Sequence, residues 1–225
     1  MKHNSLLIII LITVTVLGAV YLLFISGAVH APSTIEEVSD EPLPEPEERA
    51  DTRENVGTIS ESQGDLSLYT NTNYGFSFAF QKDWSFTSFT NEELESGLLV
   101  GLQSPDTAEL IANLQIPPDM EYSVLIWYWP DINNKQAHGS SWKDQREYEN
   151  LEDFFTDALS TKQKIGDVMI GLVPAHEVII GGMGSAFGVM AEHNGIYQIE
   201  FPRAHEKAAL GEEEKAILDS FTFLE

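Results

Sequence analysis

The chain contains no cysteine among its 225 residues. That absence excludes disulfides, thiolate metal sites, a cysteine nucleophile and the thiol that a lipoprotein anchor requires. Stability must therefore come from a packed core. Basic residues are also scarce, 12 Lys and Arg against 36 Asp and Glu, for a formal net charge of −24. So negative a chain repels phosphate backbones, and no nucleic-acid partner is expected. There is no Gly-x-Ser-x-Gly elbow around Ser140, Ser141 or Ser185. Gly181 to Gly188 lacks the P-loop lysine and the dinucleotide glycine spacing, so a hairpin connection is expected there. Paired carboxylates are too common to single out an acid–base centre. No cofactor and no catalysis are expected.

What the sequence does have is one long apolar run. Leu6 to Ile25 holds 20 residues without a formal charge. As a helix rising ~1.5 Å per residue it matches a bilayer core of about 30 Å. Lys2 precedes it and an acidic segment follows, so the amino terminus is expected in the cytoplasm and the remainder outside. A single-pass anchor in the cytoplasmic membrane is the expectation. The alternative is a cleaved signal, for which Ala28 to Ala31 offers small residues, followed directly by Pro32. Residues 26–65 carry eleven acids against Arg49 and Arg53, with prolines at 32, 42, 44 and 46. Low hydrophobicity with like charge predicts a disordered spacer.

One folded domain is expected over residues 66–225. Tyr74 to Phe80 alternates aromatic with small residues, the period-2 mark of a strand. Lys82-Asp83 reads as a turn leading to a partner strand at Trp84–Thr87. Gly97–Gln103 reads as another strand. Ser123–Trp129 is apolar on both faces and belongs in mid-sheet, which makes Trp127 and Trp129 core residues. A polar loop spans 130–149. Asn150 caps a helix whose stripe is Leu151, Phe154, Phe155, Ala158 and Leu159. Strands follow at 168–172, 175–180, 187–193 and 196–201, the last two joined by Asn194-Gly195, a strong two-residue hairpin signal. A final helix opens at Glu212. The order predicts an α+β fold, an antiparallel sheet flanked by helices.

The segments Tyr74-Gly75-Phe76-Ser77-Phe78-x-Phe80-x-x-x-Trp84 and Ile217-Leu218-x-Ser220-Phe221-x-Phe223 resemble the PsbP-like domain family. That family includes extrinsic photosystem proteins, a nuclear-transport factor and many exported bacterial proteins. The resemblance covers about 150 residues and implies an α/β/α sandwich. Gln81 stands where many relatives carry proline. Its motifs are packing motifs, and no ligand or partner residue of a relative maps onto this chain.

Two sets of site residues follow from the pattern. If Gly184-Ser185 makes a two-residue turn, His176 faces His193 across a strand pair. Two imidazoles so placed begin a zinc or copper site, the metal-binding or hydrolytic alternative. The favoured reading is a binding or accessory module that docks an unidentified protein. Its candidate contacts are Trp142 and Asp131 in the 130–149 loop and Gly184 in the glycine hairpin. An exposed indole makes a good anchor. Asp131-x-Asn133 resembles the start of a calcium loop, but Lys135 at the next ligand position argues against one.

Overall fold

A computed structural model describes residues 54–62, 64–89, 96–113, 120–133, 147–157, 161–181 and 185–225. The apolar run 6–25 and the acidic segment to residue 53 lie outside the described residues. No helix among the described residues is long and apolar enough to cross a membrane.

The described part is mostly β, with two antiparallel sheets and few short helices. The smaller sheet has strand order β1-β2-β3-β11, with β1 Gly57–Glu61, β2 Leu66–Asn71, β3 Phe76–Gln81 and β11 Thr222–Phe223. The larger has order β4-β5-β6-β10-β9-β8-β7. Its strands are β4 Ser85–Ser88, β5 Leu98–Gln103, β6 Val124–Trp129, β7 Lys162–Ile170, β8 Val173–Ile180, β9 Ala186–Glu192 and β10 Ile196–Phe201. The helices are α1 Pro105–Ala112, α2 Leu151–Phe155 and α3 Glu212–Ser220.

The antiparallel sheet is present as expected, but the four-stranded sheet is an addition to the expected architecture. Phe76 and Phe78 of β3 and Tyr69 of β2 join Val124, Ile126, Val189, Tyr197 and Ile199 of the larger sheet in one core. Phe221 closes this core from the end of α3, its ring parallel to Phe76 at 5.3 Å. Trp84 does not begin a partner for β3. The chain turns at 82–84 and enters the other sheet, where β4 pairs with β5. β6 sits between β5 and β10, almost wholly buried, as its apolar faces demand.

Ordered structure also starts earlier than Leu66. β1 pairs with β2 in register Gly57↔Asn71, so the folded part takes in the end of the segment assigned to the spacer. Asn55 explains why. Its amide donates to Ser88 Oγ (3.1 Å), Phe89 O (2.9 Å) and Leu99 O (2.7 Å), and its Oδ1 accepts from Asn71 Nδ2 (2.7 Å). Asn71 is fully buried, also donates to Tyr69 OH and receives the Tyr74 N–H. One side chain thus fastens the edge of the small sheet to β4 and β5. Two acidic residues nearby, Glu54 and Glu61, give no sign of this in composition, because the fastening is made by an amide.

Local signals account for the helices. Ser104 caps α1 by accepting from Thr107 N, with Pro105 at the first helical position. Asn150 caps α2 as expected, accepting from Asp153 N at 2.9 Å. α3 begins with Gly211 N–H donating to the Glu214 carboxylate, and its first-turn acids suit the positive end of the helix.

Candidate functional site

The β9–β10 loop has three residues, His193 to Gly195, because Ile196 pairs with Glu192. Asn194 and Gly195 do adopt positive φ, 53° and 137°. A Cβ on Gly195 would fall 2.3 Å from the Tyr128 ring, so the position admits only glycine. The extra residue slips the register by one and turns every β9 side chain over. Val189 and Ala191, not Met190, therefore share the main core with Tyr197, Ile199 and Phe201.

The same logic separates the two histidines. Ile180 pairs with Ala186, so five residues rather than two connect β8 and β9. His176 then faces Met190. Its ring packs edge-on against Phe155 of α2, while the His193 ring meets Phe223 of the small sheet at 4.8 Å. The pair lies on opposite faces of the larger sheet. A shared metal ion between His176 and His193 is excluded by this geometry.

His176 has other company. Its Nδ1 lies 2.9 Å from Asp167 Oδ1 and its Nε2 3.7 Å from Glu152 Oε1. The three groups offer ligand atoms within 4.8 Å of one another, a His and two carboxylates. The Lys164 ammonium stands among them, 2.5 Å from Glu152 and 2.8 Å from Asp167. These bonds from Lys164, and then from His176, hold the exposed Asp167 carboxyl below its ordinary range. An internal cation thus occupies the place that a divalent ion would need. The cluster reads as a tie between α2 and β7. The signal in the sequence was Lys164-x-x-Asp167, but Glu152 comes from a separate helix that only the fold brings in.

Of the docking candidates, Trp142 and Gly184 lie outside the described residues. Asp131 is exposed and accepts from Asn133 N at 2.7 Å, an Asx turn. Asn133 in turn bonds both the N–H (2.7 Å) and the C=O (3.0 Å) of Tyr148. Asn133 thus ties the start of the 134–146 segment to Tyr148 beyond its end, with both of its amide atoms engaged.

An open groove of about 560 Å³ lies between the amino ends of α1 and α3. It is lined by Asp83, Asp106, Arg203 and Glu212 to Glu214 with Trp84. Three of these charges already have work in the fold. Glu213 accepts from Trp84 Nε1 (3.1 Å), Glu214 caps α3, and Arg203 donates to Thr107 Oγ1.

The most unusual chemistry lies on the other face of the larger sheet. Trp129, Ile132, Tyr148, Leu151, Phe154, Val178, Met190 and Ile196 form a second core there. Lys162 Nζ on β7 sits 4.5 Å from the centre of the Trp129 ring on β6. Four strand spacings of ~4.8 Å would hold these strands about 19 Å apart in a flat sheet, so the sheet curls toward this face. Gly188 in β9 permits the bend, since a Cβ there would meet Ile180 Cδ1 at 2.8 Å. Bulges at Leu98/Val100 and Lys164/Gly166 help.

Inside the curl, Gln198 Nε2 donates to Glu200 Oε2 at 2.9 Å. Gln198 is 3% exposed and its Oε1 has no partner. An unpaired buried acceptor costs about 1–3 kcal/mol. The Trp127 indole N–H lies toward the Glu200 carboxylate without forming a well-shaped bond, and its ring is parallel to Trp129 at 6.0 Å. Burial raises the Glu200 pKa, opposed by Lys162 and then Gln198. Burial lowers that of Lys162 to about 8, opposed by Glu200. The unfolded chain keeps its Lys162 proton to about pH 10.5, the native chain only to about 8. The resulting destabilisation is therefore complete below pH 8 and is relieved as pH rises from 8 to 10.5. Lys162→Met removes it. Urea midpoints should show the wild type gaining on the variant across that window, and parallel pH profiles would contradict the burial of this charge.

No protein-family model matches the chain, and no curated protein is found to be similar to it.

Proposed function

We propose that the chain is a membrane-tethered, extracytoplasmic binding module, with a PsbP-like domain that docks a partner protein along the outer edge of β7. The observation that carries this reading is apolar surface on an edge strand and on the turn that follows it. Ile165 (49% exposed), Met169 (55%) and Leu172 (94%) belong to neither core. Natural sheets blunt their edges with charge, and here a bulge at Lys164/Gly166 interrupts the first part of the strand. The stretch from Gly166 to Ile170 pairs regularly with β8 and carries the exposed Met169, and the turn after it carries Leu172. An extended apolar segment can add there as a further strand. The chain's charge of −24 favours a partner whose segment is flanked by basic residues.

The tether rests on the 20-residue apolar run and the acidic stretch behind it. The PsbP-like assignment, with its helix-flanked sheet, is supported by the meeting of the two quoted motifs. Phe76, Phe78 and Phe80 from the first and Ile217, Leu218 and Phe221 from the second share one core, with Phe223 packed on it. α2 lies on the opposite side of the larger sheet, whose second core includes Leu151 and Phe154.

A photo-crosslinking residue in place of Leu172, in the full chain in its own membranes, tests the docking surface. A discrete adduct is expected that Met169→Lys abolishes and that the same crosslinker at Glu212 does not give. Identical adducts from both positions, or indifference to Met169→Lys, would remove β7 as the docking edge.

A further inference from the structure

We propose that the segment docked by β7 is an antiparallel strand of the pattern apolar-x-basic, its apolar residue opposite Met169 and its lysine or arginine opposite Asp167. The inference rests on β7 as the docking edge and adds which way the partner runs and what it carries. The β7–β8 hairpin fixes the geometry. Ile170 pairs with Val173 across the two-residue turn Gly171-Leu172, with φ of 57° at Gly171, the place of glycine in such a turn. A turn of this kind joins the Ile170 C=O to the Val173 N–H, which makes this a hydrogen-bonded pair. Antiparallel ladders alternate bonded with non-bonded pairs. Val168↔Ala175 is then bonded, whereas Met169↔Pro174 and Asp167↔His176 are not. Pro174 agrees, because it has no N–H to give to β7. The N–H and C=O groups of Asp167 and Met169 therefore point away from β8, to the side where no strand pairs among the described residues.

Those backbone groups set the size and direction of what can add. The bulge at Lys164/Gly166 ends the regular edge on one side, and the turn ends it on the other. An antiparallel strand satisfies both residues with a three-residue stretch, since each bonded pair exchanges both bonds with one partner residue. A parallel strand needs a longer stretch and gains slightly less per residue. Side chains opposite one another in such pairs share a face and touch. Met169 is exposed, so an apolar side chain opposite it gives it cover. The Asp167 side chain is 74% exposed, and Lys164 and His176 both bond its Oδ1. Its Oδ2 is left to accept from a cation. Glu152 lies within the same cluster, so an acidic side chain opposite Asp167 would meet two carboxylates.

Fluorescein-labelled cyclic β-hairpin peptides, titrated against the full chain in detergent and read by anisotropy, provide the test. They carry Val-Thr-Lys, Lys-Thr-Val or Val-Thr-Glu on one edge, with the first and third backbones facing outward. Val-Thr-Lys should bind at least tenfold more tightly than either of the others, and Asp167→Asn should erase most of its advantage over Val-Thr-Glu. Met169→Pro should abolish binding in a folded domain, because the N–H it removes faces outward. Val168→Pro, which removes the donor to Ala175, should lower the urea midpoint far more. If Met169→Pro does not fold, N-methylation of the peptide's valine removes the matching bond from the other side, with the same loss expected. Tighter binding of either control peptide, equal affinity for all three, no saturable binding of Val-Thr-Lys, or indifference to the blocked bond overturns the proposal. With the Leu172 crosslink intact, any of these removes the partner's pattern and leaves the docking edge; loss of the crosslink as well removes both.

Discussion

Phe221→Ala is expected to lower the unfolding free energy of the domain by about 3–5 kcal/mol, the usual loss for a large aromatic removed from a core. Phe221 is fully buried. Its ring lies parallel to Phe76 at 5.3 Å and to Phe78 at 6.1 Å, with Phe223 set edge-on at 5.4 Å. The site cannot collapse easily, because β3 on one side and the larger sheet on the other hold its walls. Domains of this kind are stable by only about 5–15 kcal/mol, so the variant should be close to unfolding at growth temperature. Urea denaturation followed by circular dichroism measures the loss. Phe221→Leu should lose markedly less, and Leu172→Ala, at a side chain 94% exposed, should stay within about 0.5 kcal/mol of wild type. A Phe221→Ala domain as stable as the Leu172→Ala one would show that the two sheets do not share this core.

Asn55→Ala should be nearly as damaging, at about 3 kcal/mol. The change removes the donor to Leu99 O and Phe89 O and the acceptor for Asn71 Nδ2, and leaves these groups without that partner in a buried setting. Asn55→Asp is the sharper variant. It matches the shape but replaces the donating amide with oxygen facing two carbonyl oxygens, so it should cost at least as much. A chain that begins at Leu66 loses this side chain and β1 together and should not fold stably. Stability equal to wild type in both point variants would mean that the amino-terminal edge is not fastened to β4 and β5.

The residues explain which parts of this fold could be read in advance. β3, β6 and β10 carry strong alternation or continuous apolar runs, and the Asn150 cap announces α2. β1 and β2 were missed because their alternation is weak and polar, GTISE and LSLYTN. Their pairing depends on one buried amide rather than on an apolar face. Registers failed by small counts: the β9–β10 loop has one residue more than the Asn-Gly signal implies, and the β8–β9 connection has five residues. Since side chains alternate, those counts decided the fate of the histidine pair. The Gln198–Glu200–Lys162 cluster was illegible for a different reason. Lys162 reaches Trp129 only because the sheet bends, and curvature has no signature in the order of residues.

Asn55 also has a mechanical consequence. β1 is an edge strand, and the chain enters it immediately after this side chain. Tension applied from the amino-terminal direction therefore meets the Asn55 bonds before it reaches any pair of the β1–β2 ladder. Those bonds run to a different sheet, so the load passes into β4 and β5 instead of peeling the outermost strand away. Force applied from that side would meet its resistance at Asn55, at the point where an edge strand would otherwise unravel first.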